Sequence, residues 1–95
     1  MSDESMQESL KSCVDELVVL DTDTPLLYLG RLTAVDNFIL TLEEADVHDM
    51  REATGSKEVY INEARHNGLQ RNRHRVFVRL ERVISLSLLQ DVVQY

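Results

Sequence analysis

The stretch from residue 26 to residue 44, LLYLGRLTAVDNFILTLEE, decides the fold of this chain. Apolar and polar residues alternate in two runs, which is the pattern of half-buried strands, and Asp36-Asn37 stands between the runs. Asp and Asn side chains bond to nearby backbone amides and tolerate the left-handed backbone region, so this pair predicts a tight turn. Gly30 lies inside the first run, where a glycine marks a sharp bend or a close backbone approach. We therefore predict an antiparallel hairpin with a bend in its first strand.

Three more strands are predicted outside the hairpin. β-Prone runs with turn residues between them give five strands without long crossovers, at Glu16 to Leu20, Leu27 to Val35, Phe38 to Ala45, Arg75 to Glu81 and Val83 to Leu88. We predict a mainly β fold, namely a small, strongly bent, five-stranded antiparallel barrel.

A helix is predicted ahead of the first strand, over residues 2–14. Met6, Leu10, Val14 and Leu17 recur at intervals of three or four residues, so they form one apolar stripe. Such a stripe must lie against other apolar residues. We expect this helix to pack over the open end of the barrel.

The insert between the third and fourth strands combines a polar segment, Asp46 to Ser56, with the ambiguous run Lys57 to His66. Val, Tyr and Ile in that run favour a strand. Ser56 as an N-terminal cap and Asn67-Gly68 as a stop favour a helix. We predict a loop followed by a short helix.

Composition limits the class of protein. The 95 residues form one domain, residues 1–95, and so short a chain buries little of its surface alone, which favours association with copies of itself. The single cysteine excludes an internal disulfide framework, and no run is long enough to span a membrane. With no signal peptide pattern at the start, we expect a cytoplasmic protein that does not contact a membrane.

Charge is divided unevenly along the chain. The net charge of −7 argues against bulk nucleic-acid binding, and 13 of the 17 acidic residues lie in residues 1–54. The basic excess lies mainly in Arg65 to Arg75, which contains no acid. Two explanations of this segment remain open: a solvated or inter-subunit face, and a track for RNA.

No catalytic, cofactor or metal motif is present in the sequence. The three histidines lack metal-ligand spacing, Cys13 is alone, and there is no glycine-rich phosphate loop or nucleophile motif around a serine. We therefore expect neither an enzyme nor a bound cofactor or metal.

The hairpin and the last two strands together resemble the Sm/LSm family. Its first motif has a strand glycine, an apolar residue two positions on and an aspartate six positions after the glycine, matched here by Gly30, Leu32 and Asp36. An apolar strand then follows. The second motif is a short strand ending near an arginine, followed by a Val-x-x-Ile type strand; here the runs are VFVR from residue 76 and VISL from residue 83. The resemblance covers roughly residues 2–90 and implies a divergent member.

The resemblance implies a closed homo-oligomeric ring, in which the fourth strand of one subunit pairs with the fifth strand of the next. It also implies single-stranded RNA binding at the turn between the second and third strands, with Asp36, Asn37, Phe38 and Arg79 as the RNA-binding residues. An amide can read a base edge, an arginine can stack on a base or pair with phosphate, and an aromatic face can carry a base.

Two positions depart from the family pattern, and each residue has a plain structural explanation beside the functional one. Leu40 stands where the family places its asparagine, and Leu80 replaces the glycine after the arginine. Asp36-Asn37 can be a plain turn, Phe38 a core residue and Arg79 an interface ion pair. The alternative function is therefore a ring-shaped protein scaffold without RNA binding, and the alternative fold is an unrelated SH3 or OB barrel.

Overall fold

The computed structural model describes residues 3–52 and 55–93, and the side chains from Met6 onward within those ranges. The elements are α1 (Asp3–Lys11), β1 (Leu17–Thr22), β2 (Leu26–Val35), β3 (Ile39–Asp49), α2 (Lys57–Asn67), β4 (Arg73–Arg79) and β5 (Val83–Leu88), with single 3-10 turns at Met50–Glu52, Leu80–Arg82 and Leu89–Asp91. All paired strands are antiparallel, in the order β4-β3-β2-β1-β5. The strands at the two edges of the sheet are therefore β4 and β5.

The sheet bends at Gly30, where the pairing of β2 with β3 is irregular. The pairing register between these strands shifts between Leu29 and Arg31, and Glu44 on β3 takes a left-handed φ of 50°. A Cβ on Gly30 would lie 3.1 Å from both the Cα and the Cβ of Ala45, which is tighter than most Cβ contacts, so glycine favours this close approach of the two backbones. The bend predicted from this glycine is confirmed.

The bent sheet has two apolar faces with separate cores. Its inner face holds one buried cluster, formed by Val18, Leu20, Leu32, Leu40, Leu42, Ala45 and Val78. Helix α1 lies against this cluster through Leu10, a residue of the predicted apolar stripe. Met6 and Leu17, the two ends of that stripe, stay 40% exposed. Because α1 ends at Lys11 rather than at residue 14, Val14 contacts the core from the turn that follows the helix.

The outer face of the sheet is covered in part by α2. The second cluster contains Val19, Leu27 and Leu29 from the strands, Ile61 and Ala64 from α2, and Leu89 from the final 3-10 turn. Because α2 packs here, β1 is buried on both faces: Val18 and Leu20 face inward and Val19 faces α2. The short helix predicted in the insert is found, and Ser56 caps it by accepting a hydrogen bond from the Val59 N–H at 3.2 Å.

The first residues of the insert are strand, so the loop predicted over residues 46–56 is wrong for residues 46–49. Asp46 explains the difference, since this residue is 2% exposed and its carboxylate is hydrogen-bonded by other parts of the insert. The Tyr60 hydroxyl lies 2.8 and 2.7 Å from its two oxygens, and the Gln70 N–H donates to it at 3.3 Å. The His48 ring also stacks on Tyr60, with centroids 4.3 Å apart. Polar residues that look like a loop in sequence thus attach α2 to β3.

Candidate nucleic-acid interface

The turn between β2 and β3 is closed by Asp36. Its Oδ1 accepts hydrogen bonds from the backbone N–H groups of Phe38 and Ile39, both at 2.8 Å. Its own N–H donates to the Ile39 carbonyl at 3.0 Å. The two bonds to the carboxylate, with the one from Phe38 the larger effect, lower the pKa of Asp36 below its usual range. The carboxylate therefore shapes the turn and presents the two residues that follow it.

The end of β4 lies beside this turn. Ile39 pairs with Arg79, and one residue further the Leu80 N–H donates to the Phe38 carbonyl at 2.8 Å. This backbone bond joins two segments that are distant in the sequence. The structure thus brings Phe38 and Arg79 to the same end of the sheet, as the family resemblance implied.

The side chains at this end of the sheet are open to solvent. Phe38 is 76% exposed, so its alternative explanation as a core residue is wrong. Asn37 is exposed as well. The Arg79 side chain is 70% exposed and pairs with Glu81 at 2.7 Å. That ion pair lies within one chain and on the surface, where such pairs contribute little to stability, so it leaves the guanidinium available to a ligand.

Two contacts at the turn were not predicted from the sequence. The Gln7 side-chain amide donates to the Asp36 carbonyl at 3.1 Å, so α1 supports the turn from one side. Nothing in the local pattern around Gln7 indicates this long-range contact. Glu81, the partner of Arg79, could have been found, because an acid two positions from an arginine is within reach at a strand end.

The two residues that depart from the family pattern both pack into the core. Leu40 is fully buried in the inner cluster, so this position cannot contact a base. Leu80 is partly buried against the same cluster and begins the 3-10 turn between β4 and β5. An apolar side chain thus fills the inner core at both positions.

The basic segment from Arg65 to Arg75 does not form one surface. The Arg65 guanidinium is half-buried and donates to the Leu89 carbonyl at 2.9 Å, which ties α2 to the last turn. Arg75 lies 3.8 Å from Glu43, and His74 lies 3.7 Å from Glu44. The segment therefore has structural contacts at its start and partly neutralised charges along β4.

Residues 3–52 and 55–93 contain no group of three or more His, Cys, Asp or Glu side chains that could hold a metal ion. Within the same residues, no helix is long and apolar enough to cross a membrane.

The geometry defines a class of protein: a five-stranded, strongly bent antiparallel sheet with a helix on its inner face and an exposed turn beside the end of β4. Neither protein-family models nor curated proteins match the chain. Solved structures do match it. The Pyrococcus abyssii Sm protein, solved in complex with a uridine heptamer, is 14% identical with a TM-score of 0.58, covering 86% of this chain and 94% of that one.

The SmAP (LSm) protein from Methanococcus vannielii is also similar, with 20% identity and a TM-score of 0.59, covering 93% of this chain and all of that one. Both similarities run over nearly the whole length of the compared proteins. The fold is therefore Sm-like, and the low identity fits a divergent form of it.

Proposed function

We propose that this protein assembles into a closed ring of identical subunits and binds single-stranded RNA at a turn site made of Asp36, Asn37, Phe38 and Arg79. The observation that carries the proposal is the backbone bond from Leu80 to Phe38, since it holds an exposed aromatic ring beside an exposed arginine. Single-stranded RNA is commonly bound by aromatic stacking of bases together with cationic contacts to phosphate.

Each residue has a separate task at the turn site. Phe38 offers a face for one base, Asn37 presents an amide that can both donate to and accept from a base edge, and Arg79 contacts phosphate or stacks. Asp36 acts indirectly, because its carboxylate already accepts two backbone hydrogen bonds. It sets the turn conformation that places Asn37 and Phe38.

The two edge strands support the ring. Both β4 and β5 lie at an edge of the sheet, where one side of each strand has no partner within the described chain. Unpaired edges attract further strands, and pairing β4 of one subunit with β5 of the next satisfies both edges in a closed, symmetric assembly. Repeating the turn site around the ring would give several contacts to one RNA strand.

A fluorescently labelled uridine heptamer is the appropriate probe, because one similar structure contains a uridine heptamer. Fluorescence anisotropy at low salt should show binding, and Asn37→Ala and Arg79→Ala should each weaken it. Arg51→Ala is the matched control, since Arg51 is an equally exposed arginine, paired with Asp49 at the far end of β3. If both turn-site variants bind as the wild type does, the site assignment is wrong.

A ring that serves as a protein scaffold is the second candidate function. The burial of Leu40 at the position of the family's asparagine favours it, as does the net charge of −7. A stable oligomer with no heptamer binding at low salt would support this function. Sedimentation of the wild type with and without the heptamer separates the two candidates in one measurement.

A further inference from the structure

An exposed aromatic side chain lies on the outer face of β4. Val76 and Val78 face the inner cluster, and Phe77 between them points the opposite way, paired across the sheet with Thr41. Phe77 is 63% exposed, and the proposed turn site does not include it. A large apolar side chain exposed on an edge strand invites contact with another apolar surface.

A groove with apolar walls lies at the opposite edge of the sheet. The outer face of β5 carries the small side chains of Ser85 and Ser87, whose strand partners are Asp21 and Val19. Helix α2 stands on one side of these serines, and the residues after the final 3-10 turn return on another. The groove between them has a volume of about 300 Å³ and is open to solvent, and its apolar lining consists of Val19, Leu27, Ile61, Val92 and Val93.

We propose that Phe77 of a second copy of this chain occupies this groove. The inference rests on the proposed ring and adds to it the residue and the pocket that hold neighbouring subunits together. When β4 of one subunit extends the sheet of the next at β5, apolar inner faces must align, because a one-residue slip would expose both. Since strand side chains alternate, Phe77 then lies on the same face as Ser85 and Ser87.

The size of the groove fits an aromatic ring. Its volume is about 300 Å³, whereas an apolar cavity of about 150 Å³ is large enough to bind benzene. The two serines leave the floor open, whereas Val19 and Ile61 supply the buried apolar contact that a phenyl ring needs. Because α2 forms one wall, the insert helix takes part in assembly and does more than cover the sheet.

Charge also favours a second copy as the occupant. Arg75 and Arg79 flank Phe77 at alternate positions of β4 and lie on the same face of the strand. Each pairs with an acid of its own subunit, Glu43 and Glu81 respectively, but both side chains stay more than half exposed. The groove is lined by the acids Asp21 and Glu58, together with Lys57, which pairs with Asp21. In the proposed contact, the two arginines beside Phe77 lie near groove residues that include two acids and one lysine. This difference in charge favours one orientation of the two copies.

The first test is the variant Phe77→Ala, with Phe38→Ala as the matched control, because both phenylalanines are exposed and only Phe77 lies on the outer face of β4. Sedimentation velocity over a range of protein concentrations measures the assembly. We expect Phe77→Ala to raise the concentration of half-dissociation roughly tenfold or more, the size of effect expected of a buried aromatic anchor. Phe38→Ala should assemble like the wild type.

A second variant tests the groove itself. Ser87→Phe places a ring inside the groove and should dissociate the assembly, because Phe77 of the neighbour then has no room. The double variant Phe77→Ala with Ser87→Phe should recover a large part of the assembly, since one ring again fills each groove. Near-UV circular dichroism and thermal unfolding at low concentration confirm that each variant folds.

The outcomes separate this inference from the proposed function. A wild type that is monomeric at all concentrations overturns both. A wild-type oligomer that tolerates Phe77→Ala and Ser87→Phe overturns the groove contact alone. If Phe77→Ala assembles normally but loses affinity for the uridine heptamer, Phe77 and its flanking arginines form an RNA surface, which also overturns the groove contact.

Discussion

Asp36 shows how one side chain can determine a site without contacting a ligand. Its carboxylate replaces solvent as the acceptor for two backbone N–H groups of the turn, and these bonds hold Phe38 outward. An acceptor is needed at this position, whereas a full charge is not. Asparagine offers the same acceptor oxygen and tolerates turn conformations, so it can replace the aspartate.

We predict that Asp36→Ala lowers the unfolding temperature clearly, and that Asp36→Asn lowers it much less. Since the folded pKa of Asp36 is below its unfolded value, its contribution to stability is present above that unfolded value, about 3.9, and is lost as the pH falls through the folded pKa. On acidification from about pH 6 to about pH 3, Asp36→Asn should therefore lose less stability than the wild type. Thermal unfolding at both pH values measures this, and equal losses would contradict it.

The exposure of Phe38 depends on the residue at which β3 begins. Alternation puts Phe38 on the same face as Leu40 and Leu42, so the sequence pattern by itself indicates a core position for Phe38. The first paired residue of β3 is instead Ile39, so Phe38 belongs to the turn and is exposed. Sequence patterns locate strand ends only to within a few residues, and here that margin contains the residue of interest.

At the scale of elements, Gly30 is a position where the sheet has little room for a larger side chain. We predict that Gly30→Ala destabilises the protein by about 1–3 kcal/mol, because the added Cβ would lie 3.1 Å from the Ala45 backbone and force an overpacked contact. Gly55→Ala is the control, since its Cβ would meet only Val59 side-chain atoms, at 3.4 Å or more. Urea denaturation of both variants gives the comparison; equal midpoints would show that the sheet relaxes around the extra carbon.

Helix α2 should stabilise the fold through one face only. We predict that Ile61→Ala costs about 2–4 kcal/mol, because the side chain is buried among Val19, Leu27 and Leu29 and its removal leaves a cavity. Val59→Ala, on the same helix and 51% exposed, should change stability by less than about 0.5 kcal/mol. Urea denaturation of both variants measures the two changes in stability. If α2 lies loosely on the sheet and is not part of the core, both changes will be small.

The sequence predicts the elements well and their contacts with one another less well. The strand order of the hairpin, the bend at Gly30 and the cap of α2 follow from local chemistry, and all are found. The continuation of β3 through Asp46 does not, because a buried carboxylate looks like a loop residue until its partner Tyr60 is known. That partner comes from another element, so no local pattern could supply it.

At the scale of the whole molecule, acidic residues dominate residues 1–54 and basic residues dominate the remainder. The two parts are interleaved in the sheet, since the basic strand β4 pairs with β3, whose Glu43 lies between Arg31 and Arg75 at 3.8 Å from each. Much of the positive charge is thus paired with acidic side chains of the same subunit. Arg79 lies at the end of this strand, where its ion pair with Glu81 is exposed.

This charge distribution predicts a weak salt dependence of RNA binding. For single strands, the logarithm of affinity falls with the logarithm of salt concentration by about 0.7 for each phosphate neutralised. With Arg79 as the cation of the turn site, we expect a shallow slope per occupied subunit, and in Arg79→Ala a slope that is smaller by about 0.7 for each phosphate that the guanidinium no longer neutralises. Titrations of the uridine heptamer at several salt concentrations measure both slopes, with Arg51→Ala expected to retain the wild-type slope. If Arg79→Ala weakens binding but leaves the slope unchanged, the guanidinium stacks on a base and does not pair with phosphate.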